Sequence, residues 1–182
     1  DGPRFPIPAV FIGRGTGDRL EAALPEGLTA ALVAEGNGDP SLRWLIGEDT
    51  ILEPMRDMWR PSCLGDPGRV GEPYYACGTD DSGGVHTNSG VPNHAFALAV
   101  DGGSYNGHTV AGIGVTKAAH VWWRAMSVYQ TQISDFTDHA LLTELSCRDL
   151  IGQPLTDLAT GQLSPEGITA FDCDQVAEAM LA

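Results

Sequence analysis

Four stretches with the 3.6-residue apolar period of a helix follow one another between residues 90 and 181, and they constrain the fold more than any other feature. In the first, Pro92 stands where an opening turn tolerates proline, Ala95, Leu98 and Ala99 form a stripe, and Gly102-Gly103 ends it. A second is expected to start with Thr116 as N-cap and to bury Val121, Trp122, Ala125, Met126 and Tyr129. A third starts at Ser134 or Asp135, packs Phe136, Ala140, Leu141 and Leu145, and stops before Gly152. The fourth opens with Ser164-Pro165 and aligns Ile168, Phe171, Val176 and Ala179. Four such helices predict a mainly α, bundle-like domain.

Upstream the pattern differs. Residues 1–36 read as a short α/β piece: an apolar run from Ile7 to Ile12, the turn "GRGTGD", a short helix from Arg19 to Leu24, and a second apolar run from Leu28 to Val33. That piece is too small to cover both faces of a sheet by itself. From "GNGDPS" to about Thr79 the chain is rich in Gly, Pro, Asp and Arg without periodicity, which predicts long ordered loops. The domain boundaries follow as 1–36 and 37–182.

Ten basic against 24 acidic side chains give a net charge of −14, which opposes partners held through polyanionic surfaces, so neither nucleic acid nor anionic membrane is expected. No apolar run approaches the roughly 18 residues of a spanning helix. A first residue Asp1 with no leader after it suggests a processed product or an excised piece. The four cysteines allow three pairings. Cys63 and Cys77 flank a Gly/Pro-rich loop and Cys147 and Cys173 sit in two helical patterns, favouring 63–77 with 147–173 and an oxidising, extracellular compartment.

One histidine stands apart. In "DDSGGVHTNSG", His86 lies between a glycine pair and an Asn-Ser-Gly turn, with Asp81 five residues upstream. Glycines allow positive φ and close approach, so an imidazole there can reach a cleft. Two stretches further upstream, "WLIGED" and "MRDMWRPSCLGDP", then "GTDDSGGVHTNSGV", "VAGIGVTKAAHVWWRAMSVYQT" and "SDFTDHALLTELSCRDLIG", together resemble the C-terminal half of the thermolysin-like neutral metallopeptidases, from Trp44 to Leu181.

The resemblance implies a secreted zinc endopeptidase acting on peptide or protein substrates. It makes His86 the donor to the oxyanion of the tetrahedral intermediate, Asp81 the carboxylate that orients its imidazole, and Arg56 the holder of a substrate backbone carbonyl, with Ile46 and Met55 lining what remains of the specificity pocket. A fixed donor of this kind is typically worth about 3 kcal/mol where water is excluded. Zinc in that family is held by His-Glu-x-x-His and a later glutamate. No His-Glu-x-x-His occurs here, and no two of His86, His94, His108, His120 and His139 stand four apart, so no metal ligands are assigned and the zinc-binding N-terminal half is an expected missing partner. Arg43 and Leu45 replace two acidic positions of the family's calcium site while Glu48 and Asp49 remain, so the resemblance does not carry calcium over. "IPAVFIGRGTGDRLEAAL" is similar to the end of a protease-associated domain. Two other classes stay open: a peptide-binding module without catalysis, and a metal-independent ester hydrolase using His86 with Ser82 or Ser89.

Overall fold

The computed structural model describes residues 43–47 and 54–182. The expected α/β piece over 1–36, and Glu48 with Asp49, lie outside the described residues. Within them the chain is mainly helical: the one-turn α1 (Asp81–Gly84), then α2 (Gly90–Asp101), α3 (Val115–Arg124), α4 (Phe136–Asp149) and α5 (Ala170–Leu181). Two short antiparallel ribbons accompany them. β1 (Leu45–Ile46) pairs with β2 (Arg56–Asp57), and β3 (Gly102–Tyr105) pairs with β4 (His108–Ala111).

Helix α2 runs through the core, burying every residue from His94 to Val100. Phe96 meets Trp44 edge-on at 6.0 Å on one side and Trp122 at 5.2 Å on the other. The main cluster adds Met58, Ile113, Ala118, Val121, Leu155, Ile168 and Val176. Trp44 finds a partner for its indole N–H in Asp101 Oδ2, at 2.7 Å, so its burial strands no donor. Arg43 pairs with the other oxygen of that carboxylate at 3.0 Å. The stop signal at Gly102-Gly103 operates as expected: Gly102 takes φ 75°, and a Cβ there would strike the backbone of Gly112 at 2.6 Å.

The other three helices depart from expectation at their starts or faces. Helix α3 begins at Val115 after Gly114, and Thr116 is not the cap; its Oγ accepts from Leu158 N instead. Met126 is 50% exposed because the chain leaves the α period and passes into a π turn over Ala125–Tyr129, whose wider repeat rotates it out of the seam. Helix α4 starts where expected, with Asp135 and Asp138 closing a reciprocal capping box, yet Leu141 is 61% exposed and Leu145 is exposed too. Its buried face carries Thr143, Ser146 and Cys147. The two hydroxyls donate to the carbonyls of His139 (2.6 Å) and Leu142 (2.7 Å) one turn back, so they can enter the core without an unmade bond. Helix α5 starts at Ala170, not at Ser164-Pro165: Thr169 and Asp172 form its capping box, while Ser164 only caps the turn at Glu166 N. Phe171 is accordingly 60% exposed, and Ile168 is buried through a bridge to Ile151 instead of on the helix.

Cys147 and Cys173 form the expected disulfide, joining α4 to α5. The expected 63–77 bridge is not formed: both thiols are free and exposed. Cys63 belongs to the 3-10 turn Pro61–Leu64, and Cys77 lies on a separate run with its thiol turned toward the Tyr75 carbonyl. Flanking one loop in sequence does not bring two Cβ atoms face to face.

Candidate functional site

Positive φ angles occur at four consecutive residues: Asp81 (52°), Ser82 (51°), Gly83 (88°) and Gly84 (79°). Helix α1 is therefore a turn of left-handed sense, closed by Gly84 N–H to the Asp80 carbonyl and Val85 N–H to the Asp81 carbonyl, both at 3.0 Å. The glycine pair supplies two of the four residues at no steric cost, whereas Asp81 and Ser82 carry strain of the order of 1–2 kcal/mol each. Gly84 is required on a second count, since a Cβ would meet Ala76 Cβ at 2.5 Å.

This turn aims Asp81 at His86. One carboxylate oxygen accepts from the His86 backbone N–H at 2.9 Å, and the other engages the ring Nδ1. Those bonds, the ring bond first, hold the Asp81 carboxyl below the usual carboxylate range. An ionised carboxylate only accepts, so Nδ1 carries a proton and the Nε2 edge of the ring faces outward. The His86 side chain is 80% exposed.

Arg56 reaches the same loop from β2. Its Nη2 donates to the His86 carbonyl at 3.0 Å, across 30 residues of sequence, while Nη1 donates to the Met55 carbonyl at 3.0 Å and pairs with Asp66 at 3.2 Å. Met55 N–H donates to the Ile46 carbonyl (2.8 Å), and Ile46 stands opposite Arg56 in the β1–β2 ribbon. Ile46, Met55, Arg56, Asp81 and His86, all singled out from sequence, thus belong to one connected patch. Ile46 packs on the core, and Met55 is exposed.

Three further residues take part, and of them only Ser89 is named from sequence, as a candidate nucleophile. Buried Asn88 binds both backbone groups of Ala76, at 2.9 Å each, and donates to the Gly83 carbonyl at 3.3 Å, tying the left-handed turn to the preceding loop. Ser89 Oγ donates to the His86 carbonyl at 2.6 Å, sharing that acceptor with Arg56. The third is the buried Asp66. Asn88 and Ser89 stand in the quoted Asn-Ser-Gly, where their residue types signal a turn but not its partners.

As a metal centre the described residues do not fit. Among them, no three His, Cys, Asp or Glu side chains converge on a point where an ion could sit. The histidines are otherwise engaged: His108 with Glu178, His120 with the backbone of Thr156, His139 with Gln130, and His94 with the Met58 carbonyl. The Ser89 hydroxyl, committed to a carbonyl, does not form the serine–imidazole bond of a nucleophile and base. Among the described residues no helix is long and apolar enough to cross a membrane.

Residues 27–160 match the family model described as thermolysin metallopeptidase, α-helical domain. A zinc metalloproteinase of Renibacterium salmoninarum is 35% identical over 166 residues, covering 82% of this chain and 27% of the relative. A bacillolysin of Brevibacillus brevis and a thermolysin of Alicyclobacillus acidocaldarius subsp. acidocaldarius are each 38% identical over 114 residues, 60% of this chain and 21% and 20% of their own lengths. The chain thus spans at most about a quarter of these curated relatives.

Proposed function

This chain belongs to the thermolysin metallopeptidase family, a family of metalloendopeptidase hydrolases, through its α-helical domain, and we propose that it is the C-terminal portion of a secreted zinc endopeptidase, working against a zinc-binding half that these 182 residues do not contain. The observation that carries the reading is the Asp81–His86–Arg56 arrangement. Bound zinc would polarise the scissile carbonyl and activate water, and its ligands would come from the other half.

The residues of this chain then have distinct tasks. Asp81 holds the imidazole by Nδ1, and in the doubly protonated ring Nε2–H donates to the oxygen on which negative charge develops. Arg56, fixed by its bond to the His86 carbonyl, offers its remaining N–H groups to a substrate backbone carbonyl. Ile46 and Met55, beside it on the ribbon, contribute apolar surface to a side-chain pocket. With His86 this exposed, water competes for Nε2, and the donor becomes effective only when a partner surface and a substrate cover it.

Mixing the chain with a separately produced zinc-binding half and following cleavage of a blocked dipeptide amide tests this. The expected result is chelator-sensitive turnover by the mixture alone, with His86→Ala lowering kcat about 10²- to 10³-fold at little cost in KM. Chelator-resistant turnover by the lone chain would sink the proposal, as would folded halves that neither associate nor cleave.

A further inference from the structure

Asp66 is only 5% exposed, on a segment with no helix or strand of its own. Its backbone N–H donates to the Pro61 carbonyl at 3.1 Å, and the Asp66-Pro67 segment lies so close on Gly90, at the start of α2, that a Cβ there would meet the Pro67 carbonyl oxygen at 2.4 Å and Asp66 Cβ at 3.0 Å. This carboxylate is thus flanked on either side by backbone held against the protein. Its only cationic partner among the described residues is Arg56, with Nη1 3.2 Å from Oδ2, and the pair lies off the line of a true hydrogen bond, so Oδ2 has no other satisfaction. Burial accordingly pushes the Asp66 carboxyl up, with Arg56 pulling against it.

A guanidinium has five N–H donors. Nη1 donates to the Met55 carbonyl and forms the ion pair with Asp66, and one N–H of Nη2 donates to the His86 carbonyl, which leaves Nε–H and one N–H of Nη2 outside any bond or ion pair among the described residues. We propose that Asp66 is a positioning residue for Arg56: by holding Nη1 from inside the protein it fixes the guanidinium plane, so that Nη2 anchors the His86 carbonyl and the remaining donors face the substrate. This rests on the reading of Arg56 as the holder of a substrate carbonyl. It gives that arginine its preorganisation, because a side chain with four free torsions would otherwise lose its entropy on each binding event. It also couples Arg56 to His86 through the carbonyl they share with Ser89.

Side-chain ¹⁵N spectra of the 182-residue chain read the positioning directly, and blocked-dipeptide affinity for wild type and Arg56→Ala reads the substrate role separately. With rotation blocked, the Nη1 and Nη2 protons of wild-type Arg56 give separate resonances. In Asp66→Asn, which keeps the shape and removes the charge, these are expected to merge while the amides of α2–α5 stay in place. Separate resonances in a folded Asp66→Asn would overturn the proposal even if Arg56→Ala loses peptide. Undiminished peptide affinity in Arg56→Ala would instead remove the substrate reading, and with it the purpose given to Asp66, even if the resonances merge. Should Asp66→Asn not fold, the ¹³C titration of the Asp66 carboxyl in Arg56→Ala decides: its midpoint must rise above wild type, and an unchanged midpoint refutes the pairing.

Discussion

Helices α1 and α2 lie five residues apart and obey opposite rules. Helix α2 is right-handed and buries eight of its residues, Gly90 and the run from His94 to Val100; α1 takes left-handed φ throughout and buries only Gly84. The first is held by dispersion and the removal of apolar surface from water. The second holds a strained backbone by a few directed bonds, chiefly those of Asn88. The candidate chemistry sits on the strained, exposed element, and the buried one serves as its anchor, a division expected where a side chain must be offered to a cleft instead of packed.

The contrast can be broken most severely at its anchor. Cys147→Ser opens a cross-link spanning 26 residues, and chain entropy predicts a loss of about 3.5 kcal/mol, read from urea unfolding. Leu98→Ala, at a fully buried α2 position, is expected to cost about 3 kcal/mol in the same assay while leaving the His86 ring resonances unmoved.

Acid brings a smaller loss. Burial holds His94 and His139 below the ordinary value of 6.5, so the unfolded chain binds more protons as pH falls through and below that value. Their contribution is intact above about 6.5 and declines towards their lower folded values. Asp66 acts with the opposite sign, because its folded value is raised: its stabilising contribution is full below 3.8 and lost as pH rises through the folded value. Unfolding midpoints at pH 7 and pH 5 should therefore differ, with a shallower slope in His139→Gln; equal slopes would remove His139 from the account.

The strained turn supplies the smallest effects and the sharpest comparison. Gly83→Ala meets no atom within 4 Å, so its cost, about 1 kcal/mol, is that of φ +88° alone. Ser82→Gly should go the other way, gaining roughly 0.5 kcal/mol after the extra entropy of the unfolded glycine is counted. If Gly83→Ala is neutral, α1 does not hold its left-handed form in solution.

Much of this was legible from residue order. Helix α2 announced itself through Pro92 and Gly102-Gly103, and the start of α4 through Ser134 or Asp135, of which the structure selects Asp135. The faces were less so. Apolar residues at helical spacing pointed to Leu141 and Leu145, while α4 buries Thr143, Ser146 and Cys147, because hydroxyls that bond their own helix lose their polarity and a disulfide pulls one face inward. Met126 was misplaced because a π turn changes the period on which the prediction rests. At the site, the Gly-Gly-Val-His motif identified His86 and Asp81, which are close in sequence and bonded in space. Asp66 and Asn88 gave no such signal, since a buried Asp and a turn Asn look the same as exposed ones until their partners are known.

Local order alone determined that four helices follow a loop-rich segment, that a glycine pair precedes an isolated histidine, and that the motifs are those of one peptidase family. Those features depend on backbone preference and on residues a few positions apart. Only the tertiary structure decided which helix faces the core, that Cys63 and Cys77 stay unpaired, and that Arg56 joins a buried aspartate to the His86 carbonyl. These depend on segments from 10 to more than 50 residues apart, selected by the packing of the whole chain, and no periodicity encodes them.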